Sequence, residues 1–359
     1  MSGAPPTDAS GRDRRLGGRW SPAQRAKNDL LYVLASGALG AARGLGAPSR
    51  RALARLVADA CWALGVGWRR RVERNLRLAL GPNAPGARAV FRGLGSVLAD
   101  TLALLEGGAA AGAGLELEGE AREALRAGLS GGRGVMYATA HLGPWERMAA
   151  LLVEEGFDVV TVARESYDPR FDALYARLRD RRGVRALYRG RPGFAAALVR
   201  ALKRGTIVGF PMDLAGRGVR AHEARWFGLP LATPLGPAAL ALRTGASLVV
   251  GTPAPGPGGS LVVRVEAVET AGLGAGPGEV ERLTERLAGL LAARVAALPT
   301  LWPWMHPKWL RLRAPRVGAG ARAPPADRKD AAAGAIWSNV STHRPGGGAG
   351  GETGGEWSG

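Results

Sequence analysis

Residues 135–146, VMYATAHLGPWE, place a short apolar run directly before a turn and an amphipathic segment. The first five residues have the β-branched and aromatic content of a buried strand. Gly143 then permits a turn, and Pro144 stands where proline favours the first turn of a helix. We therefore predict a strand, a turn that carries His141, and a helix.

Short β-rich runs and amphipathic segments continue to alternate after this unit. The predicted strands are 135–139, 158–163, 184–188, 206–210, 247–252 and 261–268. The predicted helices are 144–155, 169–182, 192–204, 234–244 and 278–298. Such alternation is typical of βαβ units, so the expected fold class is α/β, a mostly parallel sheet flanked by helices. The last strand follows a Pro- and Gly-rich turn and is expected to pair antiparallel with the strand before it.

Helical periodicity fills the N-terminal part of the chain, from residue 24 to about residue 106. A Gly-rich break follows, and no apolar periodicity is visible beyond residue 316. The predicted segments are a disordered basic N-terminus (1–23), a helical membrane-associating region (24–114), the α/β core (115–316) and a disordered Gly- and Pro-rich tail (317–359).

Composition excludes several classes of protein. The 359 residues are 46% hydrophobic, which is enough for a sizeable core, so a disordered or fibrous chain is excluded. The single cysteine, Cys61, excludes an internal disulfide framework and a cysteine-based structural zinc site. A formal charge of +19 favours anionic partners: acidic lipid headgroups, an acidic protein or nucleic acid.

The N-terminal region carries the signals for membrane association. No secretory signal peptide is visible, and the apolar run 30–42 is short for a membrane-spanning helix. Extension past Arg43 to Ser49 gives the needed length at the cost of one charge, so a single span stays open beside peripheral attachment. Residues 43–77 hold nine arginines, two acidic residues and an apolar stripe at helical spacing. This pattern suits either a helix on an anionic leaflet or a solvated helix packed on the domain.

Four polar residues follow successive predicted strands of the core: His141, Arg164, Arg189 and Asp213. In a parallel sheet, the carboxyl ends of the strands meet at one edge, where functional groups gather. We therefore predict a functional site at this edge.

Within this site, His141 is the candidate general base. Imidazole titrates near neutral pH, and a carboxylate that accepts a hydrogen bond from one ring nitrogen leaves the other to take a proton. Glu146 falls in the first turn of the following helix, and the sequence predicts that it is this carboxylate. The alternative is a helix start with a stabilising glutamate and an incidental histidine.

Other reaction classes lack their motifs. The four histidines show no paired metal-ligand spacing, so we predict no metal site. Residues 272–278 are Gly-rich but include Pro277 and lack the βαβ continuation of a dinucleotide site, and no Gly-x-Ser-x-Gly elbow occurs. No cofactor is predicted. A non-enzymatic basic protein that binds membranes or nucleic acid is the remaining alternative, although no nucleic-acid motif is present.

Several motifs occur together and in order. They are HLGPWE at 141–146, Val162-Ala-Arg164 with Asp168-Pro169, FPMD at 210–213, FGLPLATPLGPAALALRTGA at 227–246, WMHPKW at 304–309 and RRVERNLRLA at 70–79. This set resembles the bacterial lipid A biosynthesis acyltransferases, the lauroyl and myristoyl transferases of the lysophospholipid acyltransferase superfamily. The resemblance covers about residues 30 to 315.

The resemblance implies transfer of a fatty acyl chain from an acyl carrier protein or acyl-CoA thioester to a hydroxyl group. The implied acceptor is a lipid A precursor or a lysophospholipid-like lipid at the cytoplasmic face of the inner membrane, with no nucleic-acid partner. The implied catalytic residues are His141 as general base and Glu146 as its partner. The substrate-binding candidates are Arg164 and Arg179 for anionic groups, Asp213 for an arginine or a substrate hydroxyl, and the turn at Gly143 for oxyanion stabilisation. Extra charge at 215–226 departs from the family pattern, and we expect His222 there to be an exposed loop residue.

Overall fold

The structure of the chain is a computed structural model that describes residues 20–42, 44–104, 114–166, 168–216 and 219–306. The predicted disordered tail (317–359), nearly all of the predicted basic N-terminus and most of the Gly-rich break lie outside the described residues.

The N-terminal region is helical, as its periodicity predicts. It contains the helices α1 (Pro22–Ala42), α2 (Ala47–Leu64), α3 (Val66–Leu80) and α4 (Ala87–Ala103). Helices α2 and α4 pack closely because Gly95 faces α2: a Cβ atom at this position would lie 2.8 Å from the Cβ atom of Ala58. Among the described residues, no helix has both the length and the apolar content that a membrane crossing requires.

The core is a seven-stranded sheet. Its strands are β1 (Leu115–Leu117), β2 (Val135–Thr139), β3 (Val159–Arg164), β4 (Arg185–Arg189), β5 (Ile207–Pro211), β8 (Ser247–Pro255) and β9 (Leu261–Val268), and a separate hairpin is formed by β6 (Ala221–Trp226) and β7 (Leu229–Pro234). The helices of the core are α5 (Gly119–Ser130), α6 (Trp145–Glu154), α7 (Pro169–Asp180), α8 (Phe194–Lys203), α9 (Gly236–Thr244) and α10 (Pro277–Ala297). The strand order is β1-β9-β8-β2-β5-β3-β4.

The predicted fold class is confirmed. Strands β8, β2, β5, β3 and β4 run parallel, and β9 pairs antiparallel with β8, as its preceding turn predicts. All five residues of β2 are buried, as expected for a central strand with both faces covered. Helix α7 begins with an N-cap at Asp168, whose side chain accepts a hydrogen bond from the Arg170 amide at 3.1 Å.

The hairpin β6–β7 was not predicted, and the expectation that His222 lies in an exposed loop is wrong. His222 lies in β6, is half-buried, and its Nε2 atom is 3.6 Å from the Glu285 carboxylate. Ala224 and Trp226 lie on the buried face of β6, and the charged residues of the strand lie on its other face. The extra charge in this segment therefore belongs to the exposed face of a half-buried strand. Phe227, with φ 54°, and the glycine after it form the turn.

Candidate active site

The turn after β2 positions His141. The strand ends at Thr139 and helix α6 begins at Trp145, so His141 lies at the carboxyl edge of the sheet. Gly143 has φ 58°, and a Cβ atom there would lie 3.1 Å from the Cγ atom of Pro253. Both facts favour glycine, since an L side chain would be strained and crowded at this position.

Asp213 reaches the same place from the neighbouring strand. Strand β5 pairs with β2 in parallel, and the Met212 amide donates a hydrogen bond to the Thr139 carbonyl at 2.9 Å. Asp213 is the next residue, so its carboxylate meets His141 beyond both strand ends. Oδ1 lies 2.8 Å from Nδ1 of His141, and Oδ2 accepts from the backbone amide of His141 at 2.9 Å.

A tryptophan from the C-terminal end of the core completes the surroundings of Asp213. The indole Nε1 of Trp302 donates to Oδ2 at 3.0 Å, and both residues are buried. Burial alone would raise the pKa of Asp213, but the charge and hydrogen bonds of His141 and the Trp302 indole outweigh it and lower the pKa. Asp213 therefore stays ionised and accepts, so Nδ1 of His141 carries the proton that is donated.

The surroundings of the His141 ring change its pKa in opposite directions. Burial would lower its pKa, but the Asp213 carboxylate, with a smaller effect of Glu146, raises the pKa above its usual value. The side chain keeps 29% of its surface exposed, and the ring lies edge-on to Trp145 at 5.4 Å between centroids. Because Nδ1 is bound to Asp213, Nε2 is the nitrogen left to take a proton from a substrate.

Glu146 does not hold the position that the sequence analysis gives it. Its carboxylate accepts two hydrogen bonds from Arg179, from Nε at 2.9 Å and from Nη2 at 2.5 Å. The residue that orients the His141 ring is instead Asp213. The local spacing of His141 and Glu146 could not reveal this, because the pairing depends on which strand lies beside β2. A catalytic role for Glu146 stays a prediction.

The structure places the other predicted site residues at or near the same edge. Arg179 is largely buried against Glu146, with its guanidinium 5.6 Å from the ring of Tyr175. Arg164 is exposed at the end of β3, where it is the register partner of Arg189 at the end of β4. Their proposed contacts with substrate stay predictions.

The backbone amide of Gly143 is already engaged. It donates to the Leu301 carbonyl at 2.9 Å, and a role of the Gly143 turn in oxyanion stabilisation stays a prediction. In the part of the chain that the structure describes, no three His, Cys, Asp or Glu side chains form a group that could hold a metal ion.

Trp302 is the site residue that sequence reasoning missed. It stacks on Trp226 at 6.0 Å and contacts Trp304 edge-on at 4.7 Å. A Trp-Pro-Trp sequence close to the end of a globular core was the available signal, because buried indoles usually need a hydrogen-bond acceptor. The predicted C-terminal motif begins two residues later, at Trp304, and Trp309 lies outside the described residues.

The arrangement is a partly exposed histidine whose Nδ1 atom is held by a buried carboxylate. Residues 21–311 match the family model for bacterial lipid A biosynthesis acyltransferase. A phosphatidylinositol mannoside acyltransferase from Mycobacterium tuberculosis (strain CDC 1551 / Oshkosh) is 33% identical over 198 residues, 52% of this chain and 58% of that protein. A protein of the same name from Mycolicibacterium smegmatis is 31% identical over 194 residues, 52% of this chain and 60% of that protein.

The alignments span less than two thirds of the length of these curated relatives. The family match, by contrast, covers the described helices and strands of both the N-terminal region and the core. It confirms the resemblance carried by the sequence motifs, and acyltransferase is the class that the motifs predict. The chain belongs to the bacterial lipid A biosynthesis acyltransferase family.

Proposed function

We propose that this protein transfers a fatty acyl chain from a thioester, carried by acyl carrier protein or coenzyme A, to a hydroxyl group of an anionic glycolipid. The observation that carries the proposal is the pair formed by His141 and Asp213, with a ring nitrogen directed away from the carboxylate. The family match and the names of the mycobacterial relatives support the same class of reaction.

The proposed step is direct acyl transfer. Nε2 of His141 takes the proton of the acceptor hydroxyl as the oxygen attacks the thioester carbonyl carbon. The C–O bond forms, the C–S bond breaks, and the thiolate leaves with the proton returned by the imidazolium. Asp213 stabilises the imidazolium while it exists, because its buried carboxylate stays 2.8 Å from Nδ1.

The proposed class of acceptor is supported by the names of the relatives and the family, and by arginines at the active-site edge of the sheet. The relatives are named for phosphatidylinositol mannoside, and the family is named for lipid A. A sugar hydroxyl on a phosphorylated glycolipid is common to both. Arg164 and Arg189, beyond two neighbouring strands of the active-site edge, offer cationic groups for such a phosphate. The formal charge of +19 would also attract an acidic carrier protein as donor.

We place the protein on the cytoplasmic face of the inner membrane, attached through the N-terminal helices. The large apolar side chains that α1 exposes include Leu30, Leu31, Val33 and Leu34, each at least half exposed. Helices α2 and α3 add exposed Leu64 and Trp68 near the arginines of α3. Apolar side chains beside arginine and tryptophan favour burial in the headgroup region of an anionic leaflet.

The test supplies palmitoyl-CoA or palmitoylated acyl carrier protein together with phosphatidylinositol mannoside or a lipid A precursor, and identifies the lipid products by mass spectrometry. We expect a product one acyl chain heavier from the wild type and none from His141→Ala. His222→Ala is the matched control, because that histidine is also half-buried beside a carboxylate but lies in the hairpin.

Each outcome of this test is informative. The accepted lipid separates the two glycolipid classes, and the accepted donor separates carrier protein from coenzyme A. An equal product from wild type and His141→Ala would overturn the assignment of the base. Absence of product with every donor and acceptor, with vesicle binding retained, would favour the non-enzymatic alternative.

A further inference from the structure

The segment 299–305, here called the C-terminal strap, crosses the active site and ends on the N-terminal helices. Its Leu301 carbonyl accepts from the Gly143 amide at 2.9 Å, and its Trp302 indole donates to Asp213 at 3.0 Å. The other end is fixed by helix α3, where Asn75 Nδ2 donates to the Trp304 carbonyl at 2.8 Å. The strap therefore contacts Asp213, the turn that carries His141, and a helix much earlier in the chain, since Asn75 and Trp304 are 229 residues apart.

The hydrogen bond from Trp302 to Asp213 helps to orient the carboxylate. Oδ1 of Asp213 accepts a hydrogen bond from the His141 ring, and Oδ2 accepts hydrogen bonds from the His141 amide and the Trp302 indole. Two donors on one oxygen hold the carboxylate plane and hence the direction of the ring. The indole also withdraws negative charge from a carboxylate that water does not reach, since the Asp213 side chain is fully buried.

Helix α3 holds the strap through a specific polar contact. Asn75 is buried, and within the described residues its Oδ1 atom has no hydrogen-bond partner. A buried unpaired carbonyl is costly, and the bond that Nδ2 makes to the strap offsets part of that cost. Arg71, one turn earlier, donates to the Met305 carbonyl at 3.2 Å.

We propose that Trp302 is a positioning residue for the pair of His141 and Asp213, and that helix α3 keeps it in place through Asn75. This inference rests on the proposed function for its kinetic consequence. Its physical consequence is independent of any substrate. The titration of His141 depends on a hydrogen bond from the C-terminal strap, and therefore on how the N-terminal helices seat that strap.

The direction of the effect follows from charge. Without the indole donor, more negative charge stays on Asp213, so the imidazolium is better stabilised and His141 holds its proton to higher pH. We expect the pKa of His141 to rise by about half a unit and kcat to fall about tenfold, with KM little changed. A role in packing alone would lower stability without moving the titration.

The experiment replaces Trp302 with benzothienylalanine, which keeps the bicyclic shape but lacks the N–H donor. The matched control is the same replacement at Trp226, which stacks on Trp302, is equally buried and donates to Thr233 Oγ1 at 2.9 Å. The His141 titration is followed by NMR of the full-length protein, with the signal assigned by His141→Ala. Release of thiol from palmitoyl-CoA with phosphatidylinositol mannoside as acceptor gives kcat and KM.

A higher pKa for the Trp302 variant, with the Trp226 variant unchanged, supports the proposal. Asn75→Leu should raise the pKa of His141 by a smaller amount. This variant provides the test if the Trp302 variant does not fold. If His141 has the same pKa in the wild type and in the folded variants at Trp302 and Asn75, the proposal is overturned. Failure of the wild type to release thiol would count against the proposed function alone, since the NMR readout needs no substrate.

Discussion

Glu146 and Arg179 form a buried, two-pronged ion pair beside the active site, although Glu146 lies only five residues after His141. The pair connects the first turn of α6 to the last turn of α7 and leaves the histidine ring to Asp213. The candidate active site thus contains two acidic residues with separate partners. Their replacement should have different consequences.

Glu146→Gln should reduce stability and shift the base in a defined direction. Arg179 would keep its charge in a site with 13% side-chain exposure and no counterion, a change that typically costs about 3 kcal/mol. Loss of the Glu146 charge should also lower the pKa of His141 and move the acid limb of kcat/KM to lower pH. Denaturant unfolding and the pH–rate profile test both effects. An unchanged acid limb in a folded variant would contradict this picture.

Asp213→Asn should keep the fold and remove most of the activity. The amide can no longer hold the Nδ1 proton tautomer or stabilise the imidazolium, so we expect kcat to fall by about 10² to 10⁴. The pKa of His141 should fall, because Asp213 is the principal group that raises it. Asp158→Asn is the control, since that carboxylate is exposed and pairs with Arg185. A variant within a few-fold of wild type would exclude Asp213 as the orienting group.

Asp100 in α4 gives a prediction about stability and pH. Burial raises the pKa of this carboxyl group to about 6, with Arg51 and Arg147 opposing the shift. The pKa of this carboxyl group is higher in the folded protein than in the unfolded chain, so the unfolded chain ionises first. The free energy of unfolding therefore falls as the pH rises from about 4 to about 6. The free energy of unfolding of Asp100→Asn should therefore exceed that of the wild type by about 2 kcal/mol at pH 8 and should equal it near pH 3.5. Urea unfolding at both pH values measures the difference, and a gain independent of pH would refute the assignment.

Gly143→Ala should damage both stability and turnover. The alanine would need φ 58° and would place its Cβ atom 3.1 Å from Pro253, at the turn that carries His141. We expect a loss of about 1 to 2 kcal/mol and a lower kcat. Gly272→Ala isolates the backbone cost, because Gly272 has φ 75° and open space around it. Equal losses of activity in the two variants would show that crowding at Gly143 is unimportant.

The sequence predicts the local part of this structure well and the long-range part poorly. The predicted strand 135–139 and the predicted strand 261–268 match β2 and β9 residue for residue, because their signals are contiguous. The identity of the carboxylate that orients His141 depends on β5 lying beside β2, and the two residues are 72 positions apart. Trp302 reaches Asp213 from 89 positions away. Periodicity carries no information about such pairings, whereas the rule that parallel strands end at one edge did bring His141 and Asp213 to the same site.

Two exposed leucines of α1 test membrane attachment. Leu31 and Leu34 are 50% and 59% exposed, so Leu31→Glu with Leu34→Glu should leave the unfolding free energy nearly unchanged. Each substitution removes apolar surface and adds repulsion from an anionic leaflet, so binding to phosphatidylglycerol-containing vesicles should fall by at least about tenfold. Leu273→Glu, outside the N-terminal helices, is the control and should bind nearly as the wild type does. Vesicle flotation measures both variants, and equal losses would indicate that net charge, rather than the apolar face of α1, holds the protein at the membrane.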